Sequence, residues 1–135
     1  MKQHGTGHID VKSWEEELYL QIDPDRKLNR AHVTQRFTGV IEGEATSECL
    51  IAYVRADDSL SSIAGLTHVV GTVGGRTGEF VLQAKGGYSD GSVEVEWFVV
   101  PDSGIGGLAG LTGEGGYVLR PGDAQVDVTF SFDFA

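Results

Sequence analysis

The chain has 135 residues, 20 of them glycine and one cysteine, and a formal charge of −10 from ten basic and twenty acidic side chains. That length fits a single domain, read as residues 1–135 with 1–6 as a flexible tail, and is enough to bury a core without staples. The acidic balance repels phosphate backbones and anionic lipid, which argues against nucleic acid and membrane partners, and a lone Cys49 excludes an intrachain disulfide. The opening "MKQHGTGHID" lacks the apolar core of a signal peptide, and the longest uncharged run, 59–75, is broken by four glycines. A cytoplasmic protein is expected.

In chain order, "SWEEELYLQI" comes first. Ser13 and Glu16 could cap a helix there, but Trp14, Leu18, Leu20 and Ile22 share a parity and the neighbouring patterns are strands. A strand over 7–22, with room for a bulge, is the reading. "AHVTQRFT" puts Val33 and Phe37 on one face of a strand over 31–38. Strands over 41–55 and 64–73 follow. In "GEFVLQAKGGY", Phe80, Leu82 and Ala84 alternate with Glu79, Gln83 and Lys85 within 78–88. "SVEVEWFVV" alternates again through Val93, Val95, Trp97 and Val99 within 92–101, and after 114–120 the chain closes with "QVDVTFSFDF" in 125–134.

"SDGS" and "RPGDA" are hairpin connections of the Asp-Gly and Pro-Gly kind. About eight strands with short links pair antiparallel, and eight can close into a barrel that packs side chains or holds one small ligand. An all-β, closed, eight-stranded antiparallel barrel is therefore expected, with an open sandwich as the alternative. The stretches "GLTHVVGTVG" (65–74) and "GLAGLTGEGG" (107–116) share the spacing Gly-Leu-x4-Gly-x2-Gly. Each leads into a strand, as glycines at bends and close backbone approaches would.

Several catalytic patterns match by letter only. "GYSDG" fits Gly-x-Ser-x-Gly, but its serine sits in a hairpin turn rather than a strand-to-helix elbow. "GTVGGRTG" has Arg76 where a phosphate loop needs lysine, and a strand follows it. His4 and His8 lack a third ligand, so no metal is expected. Glu42 and Glu44 share one face of one strand, which suits a glycosidase poorly. A turn near Gly39 would instead set Arg36 opposite Glu44 and His32 opposite Glu48, and a bulge at Gly43 would send a glutamate inward.

Two groups remain as acid–base candidates. Glu16 shares its parity with Trp14, Leu18, Leu20 and Ile22, and burial on that face would raise its pKa. Its alternative is a bulged strand that leaves it in water. His68 lies within a strand between Leu66 and Val70 and titrates near neutral pH; its alternative is a structural side chain. Trp14, Phe37, Tyr53, Phe80, Trp97 and Tyr117 supply large apolar surfaces, four of them with a polar tip, that suit a ligand-binding lumen and a plain core alike.

The segments "SWEEELY", "FTGVIEGEATSE", "LIAYV", "GTVGGRTGEFVLQ" and "PDSGIGGLAGLTGEGGY", with the Phe-rich end, resemble in order a bacterial family of small proteins, domain of unknown function family 3224. The resemblance runs from about Gly7 to Phe134. That family looks related to the allene oxide cyclase and dirigent barrels. Those carry Gly-Thr-Gly-x-Phe-x-Gly-Ala-x-Gly where this chain has "SGIGGLAGLTG", with Ile105 for Thr and Leu108 for Phe. The resemblance implies an eight-stranded barrel, often oligomeric; in the plant relatives the lumen steers ring closure or coupling of an apolar intermediate.

The expectation is a lumen that binds one small apolar organic molecule. Its catalytic form is a cofactor-free cyclase or isomerase in which Glu16 or His68 moves a proton. Its alternatives are a non-catalytic carrier and a barrel filled by its own side chains. In "CLIAYV" both parities are apolar, so a homo-oligomer covering the second face is expected.

Overall fold

The computed structural model describes residues 2–123 and 125–135. Nine strands form one sheet, and no helix occurs among the described residues. They are β1 (Gln3–Gln21), β2 (Lys27–Gly39), β3 (Ile41–Tyr53), β4 (Leu60–Val73), β5 (Arg76–Ser89), β6 (Ser92–Val99), β7 (Ile105–Gly106), β8 (Leu111–Leu119) and β9 (Val126–Phe134). The hydrogen-bonded order is β4-β3-β2-β1-β9-β8-β6-β5, and the β4–β5 ladder from Leu60↔Ser89 to Val73↔Arg76 closes it into an eight-stranded antiparallel barrel. The two-residue β7 lies outside that count, paired with Gly78 and Glu79 of β5. None of the described residues forms a helix long and apolar enough to cross a membrane.

Alternation and tight turns account for most of this. Consecutive left-handed residues close two hairpins, Gly74–Gly75 between β4 and β5 and Asp90–Gly91 between β5 and β6. That geometry matches the right-handed twist of the strands it joins. "GYSDG" is therefore a hairpin tip and "GTVGGRTG" another, as their letters in context suggest. Five strands begin earlier than alternation indicates: β1 at Gln3, β2 at Lys27, β4 at Leu60, β5 at Arg76 and β8 at Leu111.

The glycine-rich stretch between β6 and β8 crosses one end of the barrel. Ser103 Oγ bonds both the N–H and the C=O of Val81, at 3.1 and 3.3 Å, and β7 lies along β5. The crossing drops Leu108 into the end of the barrel with no exposed surface. In the two glycine repeats the matching positions are Gly71, where a Cβ would lie 1.9 Å from the Glu42 carbonyl oxygen of β3, and Gly113, where it would lie 2.7 Å from that of Ser131 on β9. The repeated spacing thus marks close strand approach and a curved sheet.

The first residues contradict the expected tail. Gln3 to Thr6 belong to β1 and pair with β9, from Gln3↔Phe132 to Thr6↔Thr129; Met1 is outside the described residues. His4 Nδ1 is 2.6 Å from Ser131 Oγ and His8 Nδ1 is 2.7 Å from Asp127 Oδ1, both on β9. No group of three or more His, Cys, Asp or Glu placed to hold a metal occurs among the described residues.

Two apolar clusters fill the interior unequally. The larger plugs the lower end with Phe37, Ile41, Val69, Val73, Phe80, Leu82, Leu108, Leu111 and the β9 row Val128, Phe130 and Phe132. The smaller consists of Ala31, Val33 and Ile51, with Cys49, Tyr53 and Ile63 packed against it. It lines the upper half, where the wall is incomplete. The β9 ladder with β1 ends at Ile9↔Val126, so Asp10–Gln21 of β1 has only β2 beside it.

Candidate functional site

The upper half of β1 owes its orientation to a bulge. The β1–β2 register jumps between Val11↔Gln35 and Ser13↔Thr34, with Lys12 as the extra residue, and again between Leu18 and Leu20. Without the first jump, Ser13 and Glu15 would continue the inward row of Ile9. With it, Trp14 pairs with buried Val33 and Glu16 with buried Ala31. Both alternatives weighed for Glu16 hold in part: the strand is bulged, and the bulge turns the carboxylate to the inner face.

Glu16 is the hub of the rim. Its Oε2 accepts from Asn29 Nδ2 and from the Tyr53 hydroxyl, each at 2.7 Å, and its Oε1 accepts from Trp14 Nε1 at 2.9 Å. Partial burial pushes the carboxyl pKa upward, but these three donors and the charge of Lys27 outweigh it and hold Glu16 below its ordinary value. This is the reverse of the direction expected for a carboxyl in a dry lumen. The Tyr53 phenol is pushed well up, first by burial and then by the adjacent carboxylate. Lys27 Nζ sits 5.0 Å from the centre of the Tyr53 ring. At pH 7 the rim is thus an ionised carboxylate held by neutral donors.

Beneath the rim lies a cavity of about 90 Å³ between the two apolar clusters. Trp14, Phe37, Trp97 and Tyr117 border it, with Cys49 and the polar trio Gln35, Ser47 and Thr67. The trio is linked in a chain: Gln35 Nε2 donates to Ser47 Oγ at 3.2 Å, and Ser47 Oγ lies 2.7 Å from Thr67 Oγ1. Cys49 Sγ lies 3.8 Å from the Ala31 carbonyl oxygen, and burial, with the charges of Glu16 and Glu48, raises its thiol pKa. Trp97 packs edge-on to Phe37 (centroids 6.0 Å apart) and tilted against Tyr117 (5.7 Å). The buried Trp97 Nε1–H has no hydrogen-bond partner among the described residues. Such a donor costs roughly 1–3 kcal/mol relative to a satisfied one. Asn29 Oδ1 at the rim is the other buried polar atom without a partner among the described residues. Burial also raises the Tyr117 phenol, so it stays protonated at neutral pH.

The structure divides the residues singled out from sequence. Trp14, Phe37, Trp97 and Tyr117 meet at the cavity, with Glu16 and Tyr53 above it at the rim. Phe80 lies lower, fully buried in the plug, and does not border the cavity. His68 is on the opposite surface of the sheet: its ring is exposed, with Nε2 2.8 Å from Glu79 Oε1 of β5. Leu66 and Val70 share that outer face, half exposed, so the apolar neighbours of His68 do not mark the lumen. It cannot serve a reaction inside the barrel from there. Glu42 and Glu44 also point outward, and the cross-strand pairs Arg36↔Glu44 and His32↔Glu48 form as the turn near Gly39 requires. Gln35, Ser47, Thr67 and Asn29 were not singled out. Their signal was a polar residue at an inward parity, as in Val33–Gln35–Phe37.

An antiparallel eight-stranded barrel, plugged at one end and open beside one strand at the other, defines the class of the molecule. Residues 5–132 match the family described as protein of unknown function (DUF3224), and the chain belongs to that family. It is similar to a protein of unknown function from the DUF3224 family of Shewanella oneidensis MR-1, whose crystal structure is 30% identical in sequence. The two superpose with a TM-score of 0.79 over 100% of this chain and 99% of that one. No curated protein matches the sequence.

Proposed function

We propose that the protein binds a small, largely apolar organic molecule in the upper lumen and that binding, not turnover, is its principal activity. The observation that carries this is the cavity between the two core clusters, walled by aromatic rings with a few polar groups, which is how small-molecule sites are built. Its size is modest. At roughly 30 Å³ per water, 90 Å³ admits about three water volumes, so the enclosed part of a ligand is a few heavy atoms. Anything larger extends past Trp14 toward the unpaired edge of β1.

The catalytic form of this reading, a cofactor-free cyclase or isomerase in the manner of the allene oxide cyclase and dirigent barrels, rests on Glu16 as a base. Kinship with those barrels is supported by the closed eight-stranded architecture. Binding is preferred because the Glu16 oxygens already accept three hydrogen bonds and its carboxyl is held low, which weakens it as a base. A cytoplasmic homo-oligomer completes the proposal, supported by one partly buried thiol and by apolar Leu66, Val70 and Phe98 on the outer face.

Native mass spectrometry of protein purified from its own host tests the binding reading. A co-purifying small molecule that is lost on unfolding is expected. Protein that carries no adduct and also fails to bind small ketones or alkenes at millimolar concentration would overturn it.

A further inference from the structure

We infer that the lumen selects molecules carrying a carbonyl-type oxygen, received by the indole N–H of Trp97 with the Tyr117 phenol beside it. This rests on the binding reading and names the chemistry of its ligand. The polar demand of the cavity is lopsided. Gln35, Ser47 and Thr67 are linked to one another by hydrogen bonds, and the Cys49 thiol lies against the Ala31 carbonyl. Trp97 Nε1–H is left as a buried donor with no partner among the described residues. Indole is a donor and never an acceptor, so only an acceptor completes it.

Tyr117 offers a second donor on the same cavity wall. Its ring is tilted against Trp97 at 5.7 Å and borders the same cavity, and burial keeps its phenol protonated. A carbonyl oxygen has two lone pairs and can receive both groups. Phe37, Ile63, Leu82 and Val95 on the remaining wall suit the hydrocarbon part of the ligand. A buried water usually makes two to four hydrogen bonds and could also accept from this indole, so the test has to tell a bound ketone from a water.

The test uses the whole protein and a matched pair of probes small enough for the cavity: butanone, and 2-methyl-1-butene, in which a CH2 replaces the carbonyl oxygen. Binding is followed through the indole 1H–15N signals, with Trp14, already bonded to Glu16, as the internal reference. Butanone is expected to move the Trp97 signal downfield and leave that of Trp14 in place. Trp97→Phe is expected to weaken butanone about tenfold while changing the alkene less than twofold. Equal weakening of both probes, or a Trp97 signal that shows contact with water and does not move with butanone, would overturn the inference while leaving the binding reading intact. Failure of both probes to bind the native protein overturns the inference, and with no adduct on protein from its own host it overturns the binding reading as well. If Trp97→Phe does not fold, the shift in the native protein still decides.

Discussion

Replacing Glu16 by glutamine keeps the shape of the rim and removes its charge. In the native protein the two carboxylate oxygens accept three hydrogen bonds, from Trp14, Asn29 and Tyr53. Glutamine keeps one carbonyl oxygen and sets an NH2 against the third donor, so one bond is lost and the other two become neutral. A hydrogen bond contributes about 0.5–1.5 kcal/mol net, and more when the acceptor is charged. Glu16 is exposed enough for water to replace part of this, so a loss of about 1–2 kcal/mol at pH 7 is expected. In urea that shifts the unfolding midpoint by roughly 0.5–1 M. The pH dependence is the sharper part. A carboxyl held below its ordinary value binds protons more weakly folded than unfolded, so its contribution is fully present above the unfolded value near 4.5. It is lost as pH falls through the lowered folded value. The gap between native and Glu16→Gln protein should therefore be widest at neutral pH and narrow as the pH falls below about 4.5. Equal midpoints at pH 7, or a gap unchanged under acid, would refute the rim geometry.

Phe130 is stacked on Phe132 at 5.6 Å within the plug, and Phe130→Ala should cost about 3–5 kcal/mol, measured by urea unfolding; a loss under 1 kcal/mol would mean the lower barrel is not packed. The Cys49 thiol, raised first by burial, should react with Ellman's reagent at pH 8 much more slowly than free cysteine, and an equal rate would place it outside the lumen wall. Leu66 and Phe98 lie in one cross-strand row through Gln83, with Val70 nearby, all half exposed, so sedimentation at micromolar concentration should find a dimer or larger assembly; a single monomeric species would refute the homo-oligomer.

Most of the barrel is legible in the chain because inward and outward residues alternate with period two, and that period is local. The row Val126, Val128, Phe130, Phe132 and Phe134 declares a strand without reference to anything else, and Asp90–Gly91 declares its turn. Even the pairing of Arg36 with Glu44 follows once the Gly39 turn is placed. Parity alone fails where both faces are apolar, as around His68: which face meets the lumen depends on the partner strands, and these put Thr67 inside and His68 outside. Tertiary structure also decided the rim. Glu16 faces inward because a bulge at Lys12 resets the register of β1, and its titration goes down because Asn29 and Tyr53, 13 and 37 residues away, bring donors to it. A burial pattern can say that a carboxylate is on the inner face. Whether burial or hydrogen bonding then governs its charge depends on side chains that only the closed sheet brings within 3 Å.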